Sequence, residues 1–160
     1  MAIATFAGGC FWGMEELFRQ QPGVVGVEVG FIGGSTTNPT YEQVKTGTTG
    51  HAEAIQITFN PEHTTFDALL RFFFRMHDPT TINRQGGDEG SQYRSAVFTH
   101  DESQRQTVAR IISEINASGF WPTPIVTETV EAGQWWPAED YHQAYLAKNP
   151  NGYTCHWVRG

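Results

Sequence analysis

Gly8-Gly9-Cys10-Phe11-Trp12-Gly13 joins a short apolar segment to one with helical periodicity. The two leading glycines let the backbone turn tightly and approach a ligand closely. Phe11, Met14 and Phe18 recur at helical spacing, which predicts a helix that begins at or just after Cys10. A thiol there lies near unpaired backbone N–H groups and the positive end of the helix dipole, and both favour the thiolate. Because large aromatic residues follow the sulfur directly, the stretch predicts an activated nucleophile beside an apolar pocket for a soft, uncharged substrate.

The cysteine count leaves two interpretations open. The chain has two cysteines, Cys10 and Cys155, which is too few for a disulfide-stapled scaffold or a cysteine zinc site. A nucleophile and a second thiol that attacks it later would account for both residues. Two unrelated structural cysteines would account for them as well, since a cysteine is commonly just a small buried hydrophobe.

Composition limits the class of protein and its partners. The 160 residues, 39% of them hydrophobic, suit a single domain over 1–160 with a packed core. The net charge is −7 and the ten basic residues are scattered, so we expect neither nucleic acid nor membrane as a partner. The N-terminus lacks the basic region and long apolar stretch of a secretory signal, and we therefore expect a cytoplasmic location.

Helices and short strands interleave along the chain, which predicts an α+β sheet covered by helices on one side. Residues 42–50 show no clear period, and the polar stretch 80–92 is predicted to be a functional loop. The periodicity and the turn residues predict, in order, a strand over 3–6, a helix to about Gln20, a strand over 25–31, a strand over 53–59, a helix capped by Thr64 or Thr65 and ending at His77-Asp78-Pro79, a strand over 93–98, a helix from His100 or Asp101 to Ser118, a strand over 125–130 and a last helix that begins at Pro137 and carries Tyr141, His142, Tyr145 and Leu146.

Glu53 is the most informative polar residue of the predicted strands. It has the same parity as Ile55, Ile57 and Phe59, so its side chain begins the row that faces the core. A carboxyl group at the mouth of an apolar face loses hydration, which raises its pKa. A carboxylic acid that is still protonated near neutral pH can donate a proton to a substrate oxygen. The alternative is a charge at a strand end that points into water.

Six motifs, in order along nearly the whole chain, resemble the A-type peptide methionine sulfoxide reductases. This family is similar to ferredoxin-like two-layer α/β sandwiches with added loops and helices. It reduces the S epimer of methionine sulfoxide, free or within proteins, and each epimer has its own enzyme. The motifs are Gly9-Cys10-Phe11-Trp12-Gly13, Asn38-Pro39-Thr40-Tyr41, Gly50-His51-Ala52-Glu53, His77-Asp78-Pro79-Thr80-Thr81, Gln92-Tyr93-Arg94-Ser95 and Pro137-Ala138-Glu139-Asp140-Tyr141-His142-Gln143.

The resemblance implies a role for each catalytic position. Cys10 corresponds to the nucleophile that attacks the sulfoxide sulfur, and Glu53 to the acid that protonates its oxygen. Tyr41 and Tyr93 correspond to the hydroxyl groups that hold that oxygen. Cys155 would condense with the sulfenic acid on the nucleophile to form a disulfide, which thioredoxin would reduce. Oxidised proteins, peptides or free methionine sulfoxide would be the substrates, and protein repair under oxidative stress the role.

The resemblance also implies a set of substrate-binding residues. Phe11 and Trp12 correspond to the pocket for the substrate methyl group, and Asp88 to a polar group near the substrate backbone. Tyr141 and His142 are assigned to the same site, the histidine as a hydrogen-bonding support. A sulfoxide accepts strongly at oxygen and is apolar at its methyl group, so acidic and hydroxyl donors on one side and aromatic rings on the other would suit it.

The sequence departs from the family at the recycling positions. Lys45 stands where some relatives carry a further cysteine, and the usual glycine-rich tail is replaced by Gly152-Tyr153-Thr154-Cys155-His156-Trp157. This tail resembles a subgroup with a single resolving thiol. The first chemical step is not affected by these departures.

We expect no metal and no bound cofactor. The histidines lack helical His-x-x-x-His spacing, and no glycine-rich nucleotide-binding fingerprint is present. Two other functions would use the same stretch: a cysteine hydrolase that pairs Cys10 with a histidine, and a module that binds exposed methionine or aromatic peptides through Phe11 and Trp12. Neither function explains Glu53, Tyr41 and Tyr93 together, and neither accounts for Cys155.

Overall fold

A computed structural model describes residues 1–154 and 156–159, and within this part of the chain a six-stranded sheet forms the centre of the fold. The strands are β1 (Ala2–Gly8), β2 (Val24–Ile32), β3 (Ala52–Phe59), β4 (Arg84–Gln85), β5 (Asp88–Glu89), β6 (Ser95–Thr99), β7 (Glu128–Glu131) and β8 (Trp136–Pro137). Their order in the sheet is β7-β6-β1-β3-β2-β8, and β4 and β5 form a separate hairpin. All pairings in the sheet are antiparallel except β6 with β7.

Three longer helices follow the predicted positions, and side chains cap two of them. Thr65 accepts a hydrogen bond from Ala68 N and Asp101 accepts one from Gln104 N, while Gly119 ends its helix at φ 73°. The fold is therefore mixed α/β. The helices are α1 (Phe11–Arg19), α2 (Tyr41–Lys45), α3 (Phe66–Met76), α4 (Glu102–Ser118) and α5 (Tyr145–Lys148), and 3₁₀ turns cover Ser91–Tyr93 and Asp140–His142.

The main core lies between the sheet and the helices α1, α3 and α4. Period-two alternation directs one face of β1 and β3 toward these helices, and Phe6 stacks on Phe73 of α3 with ring centroids 4.8 Å apart. Fully buried members from the strands and helices are Ala4, Phe6, Phe11, Met14, Phe18, Val29, Phe31, Ile55, Ile57, Leu70, Phe73, Val97, Val108 and Ile111. The opposite face of the sheet is covered by Ala132 and Trp135, which pack on small residues of the central strands.

The predicted last helix is wrong, because the segment 136–148 is broken into three short elements. It contains β8, the turn Asp140–His142 and α5, and Ala144 before α5 has φ 54°. The side chain of Gln143 accepts a hydrogen bond from Val29 N and donates to Val29 O and Ala138 O. These bonds to Val29, a buried residue of β2, and to Ala138 fix the chain in a path that a continuous helix could not follow.

Smaller corrections concern other local assignments. Residues 42–50, predicted to be irregular, include α2, which is stabilised by a capping box of Thr40 and Gln43. The polar stretch 80–92 contains the β4–β5 hairpin, and β6 begins two residues later than predicted, at Ser95. The strand predicted over 125–130 is β7, which begins at Glu128. Among the described residues, no helix combines the length and the low polarity needed to cross a membrane.

Candidate active site

Cys10 lies where the chain leaves β1 and enters α1. It is the N-cap residue of α1, and its side chain is 6% exposed. Gly9 before it has φ 98°, and a Cβ on this residue would lie 2.6 Å from Gln85 Cγ, so the tight turn requires glycine. The N–H groups of the first helical turn and the positive end of the helix dipole stabilise negative charge on a sulfur placed there.

Glu53 lies next to this helix terminus and is buried, and the burial is what its strand parity predicts. Its side chain is 1% exposed, and Oε1 accepts a hydrogen bond from Phe11 N at 3.3 Å. The residue paired with it across β2 is Phe31, so the neighbouring side chain on the same face is apolar. Oε2 is buried and has no hydrogen-bond partner among the described residues.

The protonation state of Glu53 follows from this environment. Burial raises its pKa from 4.5 to about 8, the N–H of Phe11 opposes that effect, and the negative charge of Asp88 adds to it. The carboxyl group is therefore mostly protonated at neutral pH and can donate through Oε2, which no described residue engages.

Tyr41, the first residue of α2, and Tyr93, in the 3₁₀ turn Ser91–Tyr93, bring two hydroxyl groups to the same region. Burial raises the pKa of both phenols well above the ordinary value, and the charges of Glu53 and Cys10 raise it further. Both hydroxyl groups accordingly remain protonated donors at all physiological pH values. The position of Tyr41 is fixed by its backbone N–H, which donates to both carboxylate oxygens of Glu139 at 3.3 Å.

An aromatic cluster follows Cys10, and it includes the ring of Tyr41, whose centroid lies 4.3 Å from that of His142. Trp12 Nε1 donates to His142 Nδ1 at 2.9 Å, so Nδ1 carries no proton and a neutral His142 has its proton on Nε2. Burial lowers the pKa of His142, which favours this neutral form. Tyr145 of α5 stacks on Trp12 at 3.9 Å, Phe11 lies fully buried behind the cluster, and Tyr141 stacks on the outer side of His142 while remaining 56% exposed.

Asp88 and the C-terminal segment meet at the edge of this region. The hydroxyl group of Tyr153 donates to Asp88 Oδ2 at 3.1 Å. Thr154 and His156 pack against Gly13 in the first turn of α1. Cys155, predicted to be the second thiol, lies outside the described residues.

The comparison with family models identifies the chain. Residues 2–160 match the model described as peptide methionine sulfoxide reductase. The chain belongs to this family. It is an A-type peptide methionine sulfoxide reductase, an oxidoreductase, since its curated relatives of high identity carry that designation.

The relatives cover nearly the entire reductase chain. It is 52% identical over 156 residues to the peptide methionine sulfoxide reductase MsrA of Nocardia farcinica, covering 98% of this chain and 89% of the relative. The corresponding protein of Mycolicibacterium gilvum is 53% identical, covering 98% and 90%.

Solved structures agree with the fold of the reductase. Reduced Mxr1 from Saccharomyces cerevisiae superimposes with a TM-score of 0.94 at 38% identity, covering 99% of this chain and 92% of that one. Methionine sulfoxide reductase A of Corynebacterium diphtheriae gives 0.83 at 41% identity, covering 95% and 76%. Mxr1 in complex with Trx2 gives 0.68 at 26% identity, covering 99% and 90%.

Several residues that build the reductase site were not found from the sequence. Glu15 of α1 is 3% exposed and accepts a hydrogen bond from Ala144 N at 2.9 Å, which ties the segment carrying His142 to the helix of Cys10. Its spacing of four residues from Phe11 could have identified it as a core-facing acid. Nothing in the sequence near Trp12 or Tyr145 indicates that their rings stack on each other.

His51 is a second missed residue of this kind. Gly34 N donates to His51 Nδ1 at 3.0 Å, and His51 Nε2 donates to Thr36 O at 2.7 Å, which fixes the loop that leads to Tyr41. Within residues 1–154 and 156–159, His, Cys, Asp and Glu form no group of three or more that could hold a metal ion.

Proposed function

We propose that the reductase converts methionine S-sulfoxide to methionine with Cys10 as nucleophile and Glu53 as proton donor. The Cys10 thiol and the sulfoxide would react to give a sulfenic acid on Cys10 and methionine, so that the oxygen passes from one sulfur to the other. The observation that carries the proposal is the hydrogen bond from Phe11 N to Glu53, because it joins a protonated carboxyl to the residue that follows the nucleophile.

The surrounding side chains suit the two ends of a sulfoxide. The hydroxyl groups of Tyr41 and Tyr93 would donate to the substrate oxygen beside Glu53, and their raised pKa values support that role. Phe11 and Trp12 would receive the methyl group.

Three further residues are proposed to bind the remainder of the substrate. Asp88 would hold the substrate backbone, with Tyr141 and His142 completing the aromatic side. His142 would hold Trp12 in place beside the methyl group, because its neutral ring accepts a hydrogen bond from Trp12 Nε1.

The second half of the cycle would use Cys155. Its thiol would condense with the Cys10 sulfenic acid to give a disulfide and water, and the dithiol of thioredoxin would reduce that disulfide. The chain that flanks position 155 contacts the first turn of α1, which supports this pairing. The relative Mxr1 was solved in complex with Trx2, which supports thioredoxin as the reductant.

We also infer the type of fold, the domain organisation and the cellular location of the substrates. A ferredoxin-like sandwich with added elements fits the succession β1, α1, β2, β3, α3 and β6 and the strand order β6-β1-β3-β2. Residues 1–160 would form a single domain. Oxidised proteins, peptides and free methionine sulfoxide in the cytoplasm would be the substrates.

The test uses the purified protein with the two separated sulfoxide epimers and dithiothreitol. Methionine should form from the S epimer alone, and reduced protein treated with one equivalent of that epimer should lose both of its thiols. Cys10→Ser should abolish methionine formation while the protein remains folded by circular dichroism. Reduction of both epimers at similar rates, or turnover by Cys10→Ser, would contradict the proposal.

A further inference from the structure

The imidazole of His156 joins the C-terminal segment to the strand that leads to Cys10. His156 is 6% exposed, and its Nε2 donates to Gly8 O at 2.6 Å. Burial lowers the pKa of His156 to about 4, so the ring is neutral at physiological pH. The burial of this ring and its hydrogen bond to the backbone of β1 indicate a defined binding position for the segment that carries it.

Gly9 and Gly13 lie so close to the C-terminal segment that a Cβ on either residue would crowd its side chains. A Cβ on Gly13 would lie 2.3 Å from Thr154 Oγ1 and 2.4 Å from His156 Nδ1. A Cβ on Gly9 would lie 3.2 Å from His156 Nε2. Glycine in a helix costs about 1 kcal/mol relative to alanine, so Gly13 in the first turn of α1 is explained by this close approach rather than by helix stability.

A second anchor lies beyond His156. Arg159 N donates to Arg75 O at 2.9 Å, and Arg75 Nε donates to Arg159 O at 3.0 Å, which ties the segment to the end of α3. The guanidinium group of Arg159 also lies over the rings of Trp157 and Trp121, at 4.1 and 5.2 Å from their centroids. The C-terminal segment is thus attached through Arg159 to α3 and through His156 to the turn that carries Cys10.

We propose that His156 is a positioning residue for the resolving step: its hydrogen bond to Gly8, in the space left by Gly13, holds the C-terminal segment against the turn that carries Cys10. The inference rests on the proposed role of Cys155 as the resolving thiol. Holding two reacting groups close together raises the rate of their reaction without changing their chemistry. His156 therefore accelerates condensation of the Cys155 thiol with the Cys10 sulfenic acid, with release of water, and contributes little to the attack on the sulfoxide.

The experiment separates the two steps in the full-length reduced protein. One equivalent of methionine S-sulfoxide is added without reductant, methionine release is followed by rapid quench, and loss of free thiols is followed over the same time course. The first thiol disappears with methionine release, and loss of the second reports the resolving step. In His156→Ala, loss of the second thiol should slow by about tenfold or more, the value of a lost buried hydrogen bond, while methionine release stays within about threefold of wild type. His156→Gln should restore much of the rate of thiol loss, because its side-chain N–H can reach the Gly8 carbonyl.

Two further variants make the test independent of His156 itself. Gly13→Ala should produce the same separation of the two rates, since its Cβ would displace the seated segment. His100→Ala is the matched control: His100 is an exposed histidine that bonds Thr5 Oγ1 at 2.8 Å through its own Nε2, and its loss should change neither rate.

Each outcome decides the proposal. Unchanged thiol loss in His156→Ala overturns it, and so does an equal fall of both rates, which would assign His156 to the support of the whole site. If wild type releases methionine and retains one thiol, the resolving role of Cys155 fails regardless of the His156 variants.

Discussion

Replacement of Glu53 by glutamine tests the acid on which the proposed chemistry depends. Glutamine keeps the size of the side chain, and its carbonyl oxygen can still accept from Phe11 N, so the hydrogen bond at 3.3 Å is preserved. The change removes the one proton that titrates there. Any loss of rate therefore measures proton donation rather than a loss of packing.

The pKa of Glu53 sets the size and the pH range of the effect. With a pKa of about 8, about nine in ten carboxyl groups are protonated at pH 7, and the acid is lost as the pH rises through 8. The rate of methionine release in wild type should therefore fall on the alkaline side. Glu53→Gln should be slower by about 10²–10⁴-fold, the usual contribution of a positioned acid, and should lack that alkaline fall.

The same pKa predicts a dependence of stability on pH. Between 4.5 and about 8 the folded state holds a proton that the unfolded state has released, so the free energy of unfolding decreases as the pH rises through this window. The contribution is complete below pH 4.5 and amounts to on the order of 5 kcal/mol at 1.36 kcal/mol per pH unit. Urea unfolding between pH 5 and 9 should show a shallower dependence in Glu53→Gln than in wild type.

Glu15→Gln is the matched control for the rate measurement. Glu15 is also buried, burial raises its pKa, and its amide replacement can still accept from Ala144 N. The control should alter the pH dependence of stability while the rate of methionine release stays within about threefold of wild type. A Glu53→Gln rate within tenfold of wild type, with the alkaline fall retained, would place the proton donor elsewhere.

The remaining predictions concern recycling and stability. Cys155→Ser should release about one methionine per enzyme and then stall with thioredoxin, and steady-state turnover at the wild-type rate would refute its resolving role. Gln143→Ala should lower the free energy of unfolding by about 2 kcal/mol in urea titrations, because three hydrogen bonds to Val29 and Ala138 are lost. The control Gln134→Ala removes only a bond to the adjacent residue, and it should lower the free energy of unfolding far less. Thr65→Ala should lower the free energy of unfolding by about 1 kcal/mol in the same titration, because Thr65 caps α3. A larger decrease in Thr64→Ala would show that Thr65 is not the cap.

The sequence predicted the site best where its signal was local. Helical periodicity after Cys10 placed the start of α1 correctly, and the parity of the strand placed Glu53 on the buried face. Both inferences depend only on the repeat of the backbone, 3.6 residues for a helix and two for a strand. The same kind of signal failed for the segment after Pro137, where hydrogen bonds of Gln143 to a distant strand override the helical pattern.

Neighbours far apart in the chain were decided by the tertiary structure. Periodicity tells which side chains face the interior but not which other element they meet there, so Glu53 could be predicted buried without predicting its contact with Phe11, 42 residues away. The seat of His156 against Gly13 and the bond of Glu15 to Ala144 are contacts of this kind. Local backbone geometry thus fixed which groups became buried, and the packing of the sheet, α1 and the C-terminal segment fixed which of them met, because contacts between distant residues leave no repeat in the sequence.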